Sequence, residues 1–359
     1  MTLRTPAAAR PLPAGQATAG RRVASRGRRV PPGVVLAASV ALLVLVVLAS
    51  LAIGSRAVPL ETVWGAFVAP VDGDTDQLVV RELRLPRAVI GLLAGAAFGA
   101  VAAVLQGATR NPLADPGLLG LNAGASLAVV AAITFLGVAT PLGFVWFAFA
   151  GVAAAAAVVF LIGSAGGGGA TPARLALTGA AVMAATTPLI TLILIRDLGT
   201  LNQYRFWSVG SLAGRGLDAA AALWPFLLAG LALAVWLAPR LNLLALGDDV
   251  ARGLGVRLGI TRVVTALAVI LLAGAATSLA GPIALLGLAV AHAARGLVGA
   301  DFRWRIALAA VLGAVVLVAA DVIGRVVAPP AELEAGIVAA VVGAPVLIAL
   351  VRRRGGGAW

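Results

Sequence analysis

Apolar residues fill ten stretches of the chain, and in each stretch they cover every side of the helix that they would form. A helix needs about 20 such residues, with a rise of about 1.5 Å each, to cross a hydrocarbon core of roughly 30 Å. A helix in a soluble core would carry a polar stripe instead. The pattern predicts an all-α, polytopic membrane protein with about ten transmembrane helices, at residues 34–53, 88–107, 118–138, 144–162, 175–195, 219–237, 263–279, 283–298, 306–323 and 336–350.

Two polar segments lie outside these stretches. Residues 1–32 are rich in Ala, Arg, Pro and Gly without apolar periodicity, which predicts a disordered Arg-rich cytoplasmic tail before a membrane domain at 33–354. A long cytoplasmic loop is predicted at 239–262. Either of its two consecutive Asp can cap a short helix and its Gly can end one, so we expect two short helices that form a surface knob. The knob residues are Leu246, Gly247, Asp248, Ala251, Arg252, Leu254 and Gly255.

Composition supports the membrane interpretation and excludes several chemistries. Hydrophobic residues make up 61% of the 359 residues and charged residues 11%, and the mean hydropathy is +1.06, which excludes a water-soluble fold. All 27 basic residues are Arg, so the chain has no lysine for a Walker A loop or a Schiff base. With no Cys and one His, His292, we expect no cofactor and no metal site. His292 is interpreted as a hydrogen-bonded core residue.

The distribution of arginine predicts the orientation of the chain. If the N-terminus is cytoplasmic, 19 of the 27 Arg fall on the cytoplasmic side, and the positive-inside rule then places both termini inside. The tail carries much of this bias, because without it the division is 12 against 8. The net charge of +13 is thus explained by a membrane, and no nucleic-acid partner is expected.

Few ionisable residues lie within the predicted spans. They are His292, Arg295 and Asp321, the last two near helix ends. A proton- or sodium-coupled carrier keeps charged groups on its pathway, and a selective channel needs rings of charge or carbonyl groups. Asp321 and Arg325 are four residues apart, which fits either a local ion pair or contact with a partner. Energy for transport would therefore have to enter from outside the spans.

Glycines recur every four residues in two of the predicted helices. Gly91, Gly95 and Gly99 lie in the second span, and Gly120 and Gly124 lie in the third. Small residues at this spacing let helix backbones approach closely in lipid. We interpret them as packing positions in preference to a conducting path.

The order of several motifs resembles the FecCD-type permeases of ABC importers for iron-siderophores, haem and cobalamin. The resemblance extends over nearly all of the chain after the tail. It rests on Arg84-Leu85-Pro86-Arg87, Gln106, Arg110-Asn111-Pro112-Leu113-Ala114-Asp115-Pro116-Gly117-Leu118-Leu119-Gly120, Gly124-Ala125, the knob, Gly281-Pro282-Ile283, Gly287-Leu288, His292 to Arg295, Gly299 to Arg303, Asp321, Arg325, Glu332, Gly336 and Gly343-Ala344-Pro345. Two residues depart from the family pattern, because Ala291 and Glu334 stand where the family usually has Pro.

The resemblance implies a complex of several chains. In such importers two ten-helix permeases, identical or paralogous, surround a path and meet through their fifth and tenth spans. Two ABC ATPase subunits dock on the cytoplasmic knobs, and an extracytoplasmic solute-binding protein delivers the cargo. The chain itself would then be a transport subunit of the bacterial cytoplasmic membrane and not an enzyme. Ferric siderophore is the expected cargo, with haem or cobalamin as alternatives.

The resemblance also implies roles for particular residues. Arg84, Arg87 and Arg325 would meet acidic residues of the binding protein. Gate regions are expected at Thr171, Pro172 and Ala173 and at Trp207 and Gly210, while Gln106, Asn111, Pro112, Gly120 and Gly124 form the structural motif. An ATP-independent secondary carrier and a structural or receptor-like membrane protein stay as alternatives. The spans lack the charged residues that a secondary carrier needs. A structural or receptor-like protein would have no use for the knob or for the gate regions.

Overall fold

The computed structural model describes residues 30–165, 172–328 and 331–354, and all regular structure in these ranges is helical. The predicted tail at 1–32 lies almost entirely outside the described residues. One π-helical segment, Val79–Arg84, joins the third helix to the fourth. The α-helices are α1 Pro32–Ala52, α2 Leu60–Val68, α3 Thr75–Leu78, α4 Leu85–Thr109, α5 Leu121–Leu136, α6 Pro141–Ser164, α7 Pro172–Arg196, α8 Leu198–Ser208, α9 Leu217–Leu244, α10 Asp248–Gly253, α11 Leu258–Ala280, α12 Leu286–Val298, α13 Phe302–Val327 and α14 Ala335–Arg354.

Each of the ten predicted apolar segments forms a helix, which confirms the all-α membrane fold. Within the described ranges, seven helical stretches are long and apolar enough to cross a membrane: α1, the continuous stretch Thr75–Thr109, α6, α7, α9, α11 and α13. The other three segments are the shorter α5, α12 and Ala335–Pro345 at the start of α14. The chain is therefore a multi-pass membrane protein.

Helix α4 lies at the centre of the fold and packs closely against α13. A Cβ atom at Gly99 would lie 1.9 Å from the carbonyl oxygen of Ala309, and one at Gly95 would lie 2.5 Å from that of Gly313. These distances allow only glycine, so the packing role predicted for the four-residue repeat is confirmed. The second repeat differs in part, because Gly120, with φ of 74°, precedes α5 and only Gly124 packs from within it.

Two predicted boundaries are wrong at the loop that follows α9. This helix continues past the predicted end at Leu237 and through Pro239, and it ends at Leu244. A proline inside a helix costs about 3 kcal/mol, but Leu237, Ala238 and Leu241 are all buried, and their packing offsets this cost. The predicted pair of short helices is one short helix, α10, and α11 begins after four intervening residues at Leu258, before the predicted loop end at 262.

Candidate functional site

The two ends of the helical bundle carry the polar groups. We call the end with α10, the last turn of α4 and the first turn of α11 the knob end. The end with the last turn of α1, the start of α4 and the last turn of α13 is the opposite end. The residues singled out from the sequence fall mostly at these two ends, which are described in turn.

At the knob end, α10 is a single short helix with a glycine at each boundary. Gly247 precedes it with φ of 108° and no side-chain cap, so the expected Asp cap is wrong, and Asp248 and Asp249 lie in the first turn instead. The helix ends with N–H groups of Gly255 and Val256 donating to the carbonyls of Arg252 and Ala251, at 2.9 Å each. This Schellman geometry needs the positive φ of Gly255, 86°.

Asp248 fastens α10 to two long helices. One carboxylate oxygen lies 3.0 Å from Arg110, which follows α4, and the other lies 3.2 Å from Arg262 on α11. Among the described residues, Asp249 pairs with Arg252 of its own helix alone. One side chain of α10 thus contacts residues at the ends of both α4 and α11. Sequence reasoning placed Asp248 in the knob but did not find its partners, which are distant in the chain.

The outer surface of the knob is apolar. Leu246, Val250 and Leu254 are all exposed, whereas Ala251 is fully buried against Val256 and Leu258. Ala251 therefore supports the knob from within and is not placed to contact a partner, which corrects its expected position. Val250 was not among the predicted knob residues, although it lies four residues after Leu246 and four before Leu254, a spacing at which residues share one face of a helix.

At the opposite end, two arginines close the C-terminus of α1. Arg84 donates to the carbonyls of Leu51, at 2.7 Å, and Arg56. Arg325 donates to the Ser50 carbonyl at 3.0 Å, and its ion pair with Asp321, at 3.0 Å, confirms the local pair expected from the sequence. The last carbonyls of a helix have no partner within the helix. These two side chains supply that partner.

The burial of these two arginines corrects their expected exposure. Arg84 is 4% exposed and Arg325 is 3% exposed, so neither guanidinium is available to another protein in this conformation. Arg87 is more accessible and pairs with Glu332 at 2.7 Å. All three arginines and Glu332 line one cavity of about 160 Å³. The structure thus brings the three predicted residues together, and their docking role stays a prediction, with Arg87 the most accessible of the three.

The expected gate at Trp207 and Gly210 forms a close backbone junction. Trp207 is buried at the end of α8, and the N–H of Gly336 donates to the Gly210 carbonyl at 2.8 Å. Beside it is a cavity of about 370 Å³ whose charged lining residues are Arg215 and Glu334. Burial lowers the pKa of Arg215 to about 10, and Glu334 opposes that shift. Glu334, one of the two departures from the family pattern, therefore faces a buried cation.

The other expected gate lies partly outside the described residues. Thr171 is outside them, while Pro172 and Ala173 begin α7. Its gating role stays a prediction.

The loop between α4 and α5 is held by its own side chains. The Asn111 side chain accepts from the Leu113 N–H at 3.0 Å, and Asp115 accepts from the Gly117 N–H at 2.9 Å. Burial raises the pKa of the Asp115 carboxyl to about 6, despite these backbone donors. Asp115 was not predicted as a site residue, although its position before Pro116-Gly117 marks it as a turn residue. Pro112 and the buried Gln106 line a cavity considered below.

The long apolar helices and the two polar ends define the class of protein: a multi-pass membrane protein. The chain belongs to the FecCD transport family, whose model matches residues 42–353. This finding confirms the resemblance seen in the motifs.

Named relatives and a solved structure agree with this assignment. The chain is 43% identical to the ferric enterobactin transport system permease protein FepD of Escherichia coli (strain K12) over 90% of this chain and 95% of the relative. It is 38% identical to the iron(3+)-hydroxamate import system permease protein FhuB of Bacillus subtilis (strain 168), over 94% and 87%. A metal-chelate type ABC transporter solved in an inward-facing conformation matches with a TM-score of 0.77 and 26% identity, covering 89% of this chain and 99% of that chain.

Proposed function

We propose that this chain is the transmembrane permease subunit of an ATP-driven ABC importer that moves ferric-siderophore complexes into the cytoplasm. The observation that carries the proposal is the knob of residues 246–255. Its outer surface is apolar, and Asp248 joins it by ion pairs to Arg110 after α4 and to Arg262 on α11. A chain without lysine has no Walker A site, so ATP is hydrolysed on separate ABC ATPase subunits, two per complex. The domain at 33–354 is the whole permease unit in this proposal.

The knob has the chemistry of a docking surface. Leu246, Val250 and Leu254 together expose large apolar side chains on a short, well-capped helix at the bundle end. Apolar side chains at the centre of an interface give most of the binding energy. Asp248 then links this surface to α4 and α11, so a push on the knob reaches the centre of the fold.

The cargo is proposed from the relatives. FepD is named for ferric enterobactin and FhuB for iron(3+)-hydroxamate, which are two chemically different ferric chelates. Similar identity to both supports the class of ferric chelate and does not select one member. Haem and cobalamin stay as alternative cargoes, and an ATP-independent secondary carrier is the less favoured alternative of a different class.

Exposed apolar helices support a second permease copy or paralogue as partner. Most apolar residues of α7 are exposed or only partly buried, and Ile337, Val341 and Val342 on α14 are exposed. These two helices are the fifth and tenth spans, which the family uses at its dimer contact. A solute-binding protein is proposed to dock at the opposite end, beside Arg87 and Glu332.

The chain is proposed to lie in the bacterial cytoplasmic membrane with both termini and the knob inside. Because the chain has no Cys, Val250→Cys gives a single labelling site on the knob. A membrane-impermeant maleimide should not react with it in intact cells but should react after lysis. Leu78→Cys, at the opposite end, is the control that should react from outside. Labelling of position 250 in intact cells would contradict this topology.

The coupling proposal is tested by changing the apolar face of the knob. Leu254→Asp should abolish radio-iron uptake from ferric siderophores and reduce co-purification of the ATPase, because it places a charge at the centre of the contact. Leu136→Asp, an equally exposed leucine at the far end of α5, is the matched control and should keep the ATPase bound. Normal uptake and co-purification in Leu254→Asp would exclude this docking surface, and ATP hydrolysis by the purified permease alone would exclude a separate ATPase.

A further inference from the structure

A polar cavity at the knob end is lined by arginines and by no acidic residue. It has a volume of about 220 Å³ and lies between the end of α4, the end of α12 and the start of α13. Its charged lining residues are Arg110, Arg295 and Arg305, and Gln106 is its other polar side chain. We call it the arginine cavity. Arg110 is paired with Asp248, but no carboxylate lines the cavity beside Arg295 and Arg305, and two such cations favour an anionic ligand.

Two of the polar side chains in this cavity are buried with atoms that lack a partner. Arg305 is 5% exposed, and its guanidinium lies 4.1 Å from the Phe302 ring centroid. One of its terminal nitrogens donates to Gln106 Oε1 at a long 3.4 Å. Arg305 Nε and Gln106 Nε2 have no hydrogen-bond partner among the described residues. Buried donors of this kind are costly unless something accepts from them.

Two carboxylates adjoin the residues of the arginine cavity, and both have partners, one of which is Arg110 of the cavity itself. Asp248 is bound by Arg110 and Arg262. Asp301 accepts from the side chain of Asn242 at 2.7 Å and from the Arg303 N–H at 3.0 Å. Neither lines the arginine cavity. The charge of Arg295 and Arg305 is therefore not neutralised by an acidic residue of the cavity wall.

The position of the cavity indicates the chemistry of its ligand. It opens at the end of the bundle where Trp236 and Trp304 are partly exposed, and tryptophan is enriched at the interface between membrane and water. Basic pockets between transmembrane helices at that depth bind phosphate headgroups. Phosphate oxygens also match the planar donor arrangement of arginine. We propose that the arginine cavity binds a phosphate-bearing anion, with an anionic phospholipid headgroup or free phosphate as the two sources.

Lipid titration of the purified full chain tests this site. Phosphatidylglycerol and phosphatidylcholine with the same acyl chains are added in neutral detergent, and bound lipid is measured by native mass spectrometry. Arg295→Gln removes an exposed guanidinium from the rim and should keep the fold. Each arginine near a membrane surface contributes about fivefold in affinity, so we expect at least that loss for phosphatidylglycerol in Arg295→Gln and in Arg305→Gln.

The matched control is Arg303→Gln, which removes the same charge from the neighbouring turn but does not line the cavity. It should leave phosphatidylglycerol binding nearly unchanged. A parallel series follows thermal unfolding with inorganic phosphate. Stabilisation that depends on Arg295 and Arg305, without preference for phosphatidylglycerol, would support the site and identify free phosphate as its source.

Three results would overturn the proposal. The first is equal binding of the two lipids together with no effect of phosphate. The second is an equal loss of binding in Arg303→Gln, which would assign the effect to general surface charge. The third is loss of ATPase co-purification in Arg295→Gln with lipid and phosphate binding unchanged, which would assign the cavity to a carboxylate of that partner. The proposed anion site in the arginine cavity is independent of the cargo that the transporter carries.

Discussion

The two ends of the bundle use arginine in opposite ways. At the knob end, Arg110, Arg252 and Arg262 are each about half exposed and pair with carboxylates at the surface. At the opposite end, Arg84 and Arg325 are buried and donate to the carbonyls that end α1. The first set holds a short surface helix, while the second set closes a helix end. Residue type and side of the membrane are therefore insufficient to assign a docking role to an arginine.

The largest effect should follow from breaking the buried pair at the opposite end. Arg325→Met leaves the Asp321 carboxylate buried without its partner, which costs about 3–5 kcal/mol. Arg252→Met at the knob end removes an exposed pair and should cost at most about 1 kcal/mol. Thermal unfolding in detergent measures both changes. Equal losses of stability in the two variants would contradict the distinction between buried arginines at one end and exposed arginines at the other.

A smaller effect should depend on pH at the knob end, where the buried Asp115 has no cationic partner in the part of the chain that the structure describes. Its folded pKa of about 6 lies above the usual value of 3.8, so its stabilising contribution is present below about pH 4 and is lost as pH rises through 6. Between about pH 5 and 7.5 we expect a loss of about 1–2 kcal/mol. As the pH rises through this range, the thermal unfolding midpoint of the natural chain should fall. The midpoint of Asp115→Asn should change less.

The control for that series is Asp249→Asn, which changes an exposed carboxylate of the same end. It should keep the full pH dependence. If Asp249→Asn flattens the profile as much as Asp115→Asn does, the dependence does not come from the buried carboxylate.

The smallest effect on stability should come from Asp248→Asn. It weakens two partly exposed ion pairs, to Arg110 and Arg262, each contributing about 0.2–1 kcal/mol. The variant should stay folded and yet take up less ferric siderophore than the natural chain, because α10 loses its links to α4 and α11. Uptake is compared with Asp249→Asn, whose only ion pair stays within α10. Equal uptake in the two variants would show that these links do not transmit coupling.

Local rules were sufficient for much of this molecule. The apolar segments predicted the helices because each segment is long enough to satisfy its own backbone hydrogen bonds. The ion pair of Asp321 and Arg325 and the glycine repeat of α4 follow from helix periodicity alone. The end of α10 at Gly255 also follows from a single residue that tolerates positive φ.

Errors arose where a residue's surroundings come from distant parts of the chain. Pro239 was interpreted as a boundary, yet buried neighbours keep α9 helical through it. Ala251 was interpreted as a contact residue, yet Val256 and Leu258 cover it. Neither outcome is encoded in a local pattern, since each depends on the free energy of packing against other segments.

By itself, the sequence determined the class of fold, the position of the knob and the family, because helix length, apolar content and motif order are properties of contiguous residues. Only the tertiary structure decided that Arg84 and Arg325 are buried at the end of α1 and that Asp248 joins α10 to α4 and α11. It also brought Arg110, Arg295 and Arg305 around one cavity. The physical reason is that burial and ion pairing depend on distances in space between groups that are far apart in the chain.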